Sequence, residues 1–152
     1  MRKMAVVVHG LAGGVALLTI ASFWLATVTV EVFGDMAAVA AVKQGILWGM
    51  AVLIPSLMIA GGSGTFLARG WRGGLADAKR RRMPVIAANG LVILVPAAVF
   101  LCWRAGEGLL DATFYIVQAV ELVAGAVNLT LLGLNMRDGL RLSRRRSRPA
   151  VA

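Results

Sequence analysis

The chain has 152 residues, of which 59% are hydrophobic and only 15% are charged, and its formal net charge is +9. A soluble domain usually carries about 25% charged residues, so the composition argues against that class and favours a membrane protein. The only cysteine, Cys102, excludes an intrachain disulfide and a paired-cysteine metal motif.

Four apolar stretches follow one another along the chain, at about residues 5–32, 39–68, 84–103 and 112–136. Each is long enough to cross about 30 Å of hydrocarbon as a helix. The first follows a basic tip, as in a signal peptide, but it is about twice too long, so we expect an uncleaved helix. The sequence predicts one all-α domain over residues 1–142, an integral membrane four-helix bundle, and a disordered basic tail over 143–152.

Prolines and glycines in these spans predict local features of the helices. Pro84 is predicted to begin the third span, where a missing N–H costs nothing, whereas Pro55 and Pro96 lie inside spans and predict kinks. The glycines of Gly10-x-x-x-Gly14 and Gly45-x-x-x-Gly49 have the spacing that is typical of close helix contacts.

Basic residues are concentrated on one side of the predicted spans. All but Lys43 and Arg104 lie before the first span, between the second and third, or after the fourth. This bias predicts an antiparallel up-down topology with both termini cytoplasmic, and Trp71 as an interfacial anchor. The runs at 79–82 and 144–148 are expected to contact anionic lipid headgroups of the bilayer. No aromatic residues interleave with them, so we do not expect nucleic-acid binding.

The fourth span has a polar face. Its members recur every three or four residues, which places them on one side of a helix, facing other helices or a water-filled cavity. They are Gln118, Glu121, Gly125, Asn128, Leu132 and Asn135.

Glu121 is the strongest candidate for a functional residue on this face, since it is expected about 13 Å from the outer end of its helix. An ionised acid near the centre of a span costs on the order of 2.5–3.5 kcal/mol. It could pair with Lys43, helped by Gln44 and Gln118, and so fix helix register. It could also be protonated, or line a wet cavity as a proton- or cation-binding carboxylate. The sequence leaves these readings open.

Further polar candidates are expected in the inner half of the bundle. Asn128, Asn89 and Ser63 are predicted to converge there and to hydrogen-bond between helices, each contributing about 0.6–2 kcal/mol. His9, the only histidine, is either a hydrogen-bonding residue or an axial ligand of haem b. In the second case a second chain, Met83 or Met136 would supply the other ligand.

Three segments carry a resemblance to a known family. Val42–Gln44, Lys79–Gly90 and Gly133–Arg141 resemble the corresponding parts of a family of uncharacterised small four-span bacterial inner-membrane proteins, and the likeness extends from His9 to Arg141. The resemblance implies the four-span architecture and a bacterial inner membrane, and it implies no activity.

No catalytic motif is present, so an enzyme is not expected. The leading hypothesis is a binding or accessory module for a larger membrane complex, a small ligand or a cofactor, working as a homo-oligomer or a subunit. One alternative is a small proton- or ion-coupled transporter or channel that uses Glu121 and Lys43. Another is a haem-binding electron carrier that uses His9.

Overall fold

The computed structural model describes residues 2–68 and 74–146. These ranges are helical apart from two short connections. The elements are α1 (Arg2–Phe33), α2 (Met36–Ala68), α3 (Gly74–Ala88), a π-helix (Asn89–Leu94), α4 (Val95–Gly106) and α5 (Ala112–Arg146). Right-handed helical backbone angles at Ala88 and Val95 make α3, the π-helix and α4 one continuous rod.

The described elements form four rods, and each is long and apolar enough to cross a membrane. The four candidate spans are Lys3–Phe33, Met36–Ala68, Asp77–Gly106 and Ala112–Arg141. The prediction of an all-α protein with four apolar helices is therefore confirmed. The helices have the lengths and composition of a multi-pass membrane protein.

The helix ends differ from those predicted. Pro84 does not begin a helix, because α3 begins at Gly74 and runs through the basic segment before the proline. Lys, Arg and Ala are strong helix formers, so the helix extends well beyond the apolar stretch. For the same reason α5 continues to Arg146, four residues into the predicted tail. The remaining tail, 147–152, and Trp71 lie outside the described residues.

The third rod changes its hydrogen-bonding pattern just before Pro96. The N–H of Val95 bonds to the carbonyl of Gly90, one residue further back than in an α-helix. Proline has no N–H and crowds the preceding turn, so a wider turn ending there accommodates it. Pro55, by contrast, lies inside α2 without a break in the helix.

Contacts between the rods fix their directions. His9, near the start of α1, contacts Ser63, near the end of α2. Gln44, early in α2, contacts Cys102, late in the third rod, and Arg82, early in the third rod, contacts Asp138, late in α5. Sequential rods are therefore antiparallel. We call the end that holds Arg82 and Asp138 the basic end, and the opposite end the far end.

Two apolar clusters pack the interior. The cluster at the far end is Val39, Leu101, Ala105 and Phe114, and the cluster towards the basic end is Ile20, Ile86 and Leu132. Large apolar side chains also cover the outside, where Leu18, Trp48 and Val92 are about 70% exposed (69%, 74% and 73%). Helices that are apolar on both faces suit an apolar solvent such as lipid.

The predicted glycine contacts are met at one position of four. A Cβ added to Gly10, Gly14 or Gly45 would meet nothing within 4 Å, so these glycines mediate no close contact among the residues that the structure describes. At Gly49 an added Cβ would lie 2.6 Å from Cε1 of Phe23. Of these four glycines, Gly49 is the one that makes room for a neighbouring helix, because Phe23 of α1 lies directly against it.

Candidate functional site

The polar face of α5 lies inside the bundle. Gln118, Asn128 and Asn135 are 3%, 1% and 4% exposed, and Asp138, which the sequence reading missed, continues the face at 1%. Its spacing of three from Asn135 was a signal that could have revealed it. Glu121, Asn128 and Asn135 follow one another at intervals of seven residues. The face therefore forms three polar layers, each about 10 Å from the next along the helix.

The far layer is a buried ion pair. Nζ of Lys43 donates to Oε2 of Glu121 at 2.6 Å, and Nε2 of Gln118 donates to the same oxygen at 3.1 Å. The side chain of Lys43 is completely buried and that of Glu121 is 12% exposed. Of the readings that the sequence left open, pairing with Lys43 is the one that the geometry displays.

Gln44 does not join this layer. Its Oε1 accepts a weak hydrogen bond from Sγ of Cys102 on α4, at 3.5 Å, and the residue is exposed. The physical reason is helix geometry, because adjacent residues point about 100° apart and Lys43 occupies the inward direction.

A small cavity of about 60 Å³ adjoins Glu121 and is walled by all four rods. Trp24 lines it and donates from Nε1 to the carbonyl of Leu122 at 3.0 Å. Gly125 makes room for this indole, since an added Cβ would lie 3.2 Å from Cδ1 of Trp24. A water needs about 10–15 Å³, so the cavity has the volume of a few waters, although its walls are mostly apolar. Ligand pockets of about 300–1,000 Å³ are far larger.

Glu31 is a polar residue near this site that sequence reasoning did not single out. It lies in α1, two residues before the helix ends at Phe33. Its Oε1 is buried and has no hydrogen-bond partner among the described residues. The overlooked signal is that Glu31 follows Thr27 by four residues, and Thr27 lines the cavity.

The middle layer joins two asparagines. Nδ2 of Asn89 donates to Oδ1 of Asn128 and to the carbonyl of Ala124, both at 2.8 Å. Nδ2 of Asn128 lies 3.4 Å from the carbonyl of Ile86. The expected pairing of Asn89 with Asn128 is present, but Ser63 is not part of it. Ser63 lies nearer the end of α2, on the side that faces α1.

The layer at the basic end is a second ion pair. Nη1 of Arg82 donates to Oδ2 of Asp138 at 2.6 Å and lies 3.5 Å from Oδ1 of Asn135. Nδ2 of Asn135 in turn donates to Sδ of Met83 at 3.4 Å. The side chain of Arg82 is 24% exposed, so this layer reaches the surface at the basic end.

His9 is held by hydrogen bonds on both ring nitrogens. Nδ1 lies 2.9 Å from the carbonyl of Ala60 and 3.1 Å from Oγ of Ser63, and Nε2 lies 3.0 Å from Nζ of Lys79. A carbonyl can only accept, and the ammonium can only donate. The proton of a neutral imidazole therefore sits on Nδ1, and Nε2 accepts from Lys79.

This arrangement does not fit a haem ligand. Neither nitrogen of His9 is free to bind iron, and the ring is packed closely enough that a Cβ on Gly64 would lie 3.0 Å from Cε1. Met83 is engaged through Sδ with Asn135, and Met136 is 47% exposed. We therefore derive no electron-carrier function through His9.

The connection between α4 and α5 is fixed by Asp111. Oδ1 accepts from the backbone N–H of Phe114 at 3.1 Å, which caps α5, and Oδ2 pairs with Arg104. The hydrogen bond from the Arg104 guanidinium, followed by that from the Phe114 N–H, holds the pKa of Asp111 below its usual range. This is a structural role at the far end of the bundle.

Comparisons with protein-family models, curated proteins and solved structures find no match. Within residues 2–68 and 74–146, no three His, Cys, Asp or Glu side chains come together as metal ligands. The three polar layers and the cavity are the features of the bundle that bear on its function.

Proposed function

We propose that the chain is a multi-pass protein of a bacterial inner membrane with both termini cytoplasmic. The charge distribution supports this orientation, because Arg81, Arg137 and Arg141 are exposed at the basic end and basic residues favour the cytoplasmic face. We expect these guanidinium groups to contact anionic lipid headgroups. The far end would then face the periplasm.

We infer that the protein handles a small ion, most simply a proton, as a small proton- or ion-coupled transporter or channel. The observation that carries this proposal is the Glu121 site, a carboxylate paired with a completely buried lysine side chain beside a small cavity. Ionisable residues inside membrane spans are costly, and where they persist they commonly mark ion and proton pathways. The asparagine layer and the Arg82–Asp138 layer extend the polar face towards the basic end.

Protonation of Glu121 supplies a switching step. It removes the negative charge that compensates Lys43, whose side chain has no exposure to water. Removing the charge of one partner of a buried ion pair costs about 3–5 kcal/mol, so proton binding destabilises the packed arrangement of these helices. Proton binding is thereby coupled to a rearrangement around the cavity, as alternating access requires.

Proton flux tests this proposal. The full chain is reconstituted in liposomes that contain a pH-sensitive dye, and a potassium diffusion potential drives proton entry. We expect wild-type flux, at least tenfold lower flux for Glu121→Gln, and unchanged flux for Thr130→Val. Thr130 is a suitable control because it is exposed on the same helix and bonds only to its own helix, at the carbonyl of Ala126. A wild-type protein without flux, or a Glu121→Gln variant with full flux, would overturn the proposal.

A second candidate function is an accessory module that docks to another membrane protein or to a second copy. The observation that favours it is one side of α1, where a Cβ added to Gly10, Gly13 or Gly14 would meet nothing within 4 Å in the described part of the chain. Small residues allow another helix to approach closely. Replacement of Gly10 and Gly14 by Leu should then reduce the mass of the particle in mild detergent, and an unchanged mass would contradict this candidate function.

A further inference from the structure

The contact between His9 and Lys79 at the basic end depends on the charge state of the imidazole. Nζ of Lys79 lies 3.0 Å from Nε2 of His9, and Nδ1 of His9 lies 2.9 Å from the carbonyl of Ala60. The carbonyl can only accept, so Nδ1 carries the ring proton and Nε2 presents its lone pair to the ammonium. Only a neutral imidazole can hold both partners at once.

The Lys79 ammonium lies between two helices. On one side it contacts His9 of α1, and on the other a Cβ added to Gly139 of α5 would lie 3.4 Å from Nζ. The side chain of Lys79 starts from α3, so its ammonium links α3 to α1 where α5 leaves room for it. Lys79 is half-buried and has water within reach of its long side chain.

The surroundings offer this pair no negative charge of its own. The residues of α2 against the ring are uncharged, and on α5 the carboxylate next to Gly139 already faces two guanidinium groups. Oδ2 of Asp138 accepts from Arg82 at 2.6 Å, and Oδ1 lies 3.5 Å from Nε of Arg137. The uncharged residues against the ring are Ala60, Ser63 and Gly64.

We propose that His9 is a proton-binding site at the basic end, and that the bound proton releases Lys79 from α1. A proton on Nε2 removes the lone pair that the ammonium needs and brings two positive charges together. The imidazolium still donates from Nδ1, so the contact with Ala60 of α2 is kept. Lys79 then turns its ammonium towards water at the surface. This inference goes beyond the proposed transport function, because no step in it involves Glu121.

The chain suits a direct test, because it has one histidine and three lysines, Lys3, Lys43 and Lys79. The full-length protein is labelled with nitrogen-15 at both residue types and studied in lipid bilayers by solid-state NMR, between about pH 8 and about pH 4.5. A nitrogen–nitrogen cross-peak reports the separation of Nε2 from Nζ, and Lys79→Met identifies the lysine signal. Helix content and elution volume in detergent show that the bundle stays folded over this range.

At the upper end of the range, Nε2 of a neutral His9 should give a cross-peak to Lys79. As the pH falls, the imidazolium signals should appear and the cross-peak should weaken at least tenfold, with the same midpoint. Lys3→Met is the matched control, because it removes an exposed charge near the same end and should behave as the wild type. His9→Gln keeps a donor and an acceptor but does not titrate, so its Lys79 signal should stay constant over the range.

Three results would overturn the inference in a folded protein. The first is an imidazolium that keeps its cross-peak to Lys79, and the second is a His9 that stays neutral over the whole range. The third is a Lys79 signal in His9→Gln that moves with pH as in the wild type. Proton flux in liposomes is decided separately at Glu121, so its absence would refute the proposed transport function and leave this inference standing.

Discussion

The contact between Gly49 and Phe23 gives the sharpest test of the packing. The two glycines Gly45 and Gly49 lie one turn apart on α2, and only the second faces a side chain, so Gly→Ala at the two positions forms a matched pair. A Cβ at residue 49 would lie 2.6 Å from Cε1 of Phe23, whereas ordinary contacts begin near 3.4 Å, and one at residue 45 would meet nothing within 4 Å.

The expected magnitude follows from a difference between the two variants. Each alanine gains about 1 kcal/mol of helix propensity, and this gain cancels in the comparison. Forcing a methyl group into a packed site costs about 1–3 kcal/mol, so Gly49→Ala should be less stable than Gly45→Ala by that amount. Phe23 also lines the cavity beside Glu121, so a displaced ring should alter the site.

Unfolding by increasing SDS fractions in mixed micelles measures this difference. The same two variants are then made in a Phe23→Leu background. There the loss of stability caused by Gly49→Ala should be smaller, because the aromatic ring that the new methyl group would contact is absent. Equal stabilities of Gly49→Ala and Gly45→Ala, within about 0.5 kcal/mol, would refute the packing that we describe around the cavity.

Three further predictions follow from the polar contacts. His9 should give the nitrogen-15 signature of a neutral imidazole protonated on Nδ1, and the opposite tautomer would contradict its contact with Lys79. Asn128→Leu should lower the free energy of unfolding by about 1–2 kcal/mol because Asn89 loses an acceptor, as measured by SDS unfolding against the wild type. Because the folded pKa of Asp111 is depressed, its contribution to stability is present above about pH 4 and is lost as the pH falls through the folded value. Asp111→Asn should therefore flatten the decline in thermal stability below about pH 4, and an unchanged pH profile would contradict the pairing with Arg104.

The sequence determined the architecture because the signal for it is local and repeated. Four apolar stretches, each longer than a membrane crossing, predict four helices without knowledge of any contact between them. The polar face of α5 was also predicted from the sequence, since positions 118, 121, 128 and 135 follow the helical period. The helix boundaries were predicted less accurately, because α3 and α5 extend through basic segments that favour helix although they are not apolar.

What surrounds that face depended on the tertiary structure. The partnership of Lys43 with Glu121 was one of several possibilities that the sequence left open, because the two residues lie on different helices. Ser63 was expected beside the asparagines and instead contacts His9, since its direction depends on which side of α2 faces α1. A single helical sequence shows which residues share a face, and the rotation of each helix within the bundle decides what that face meets.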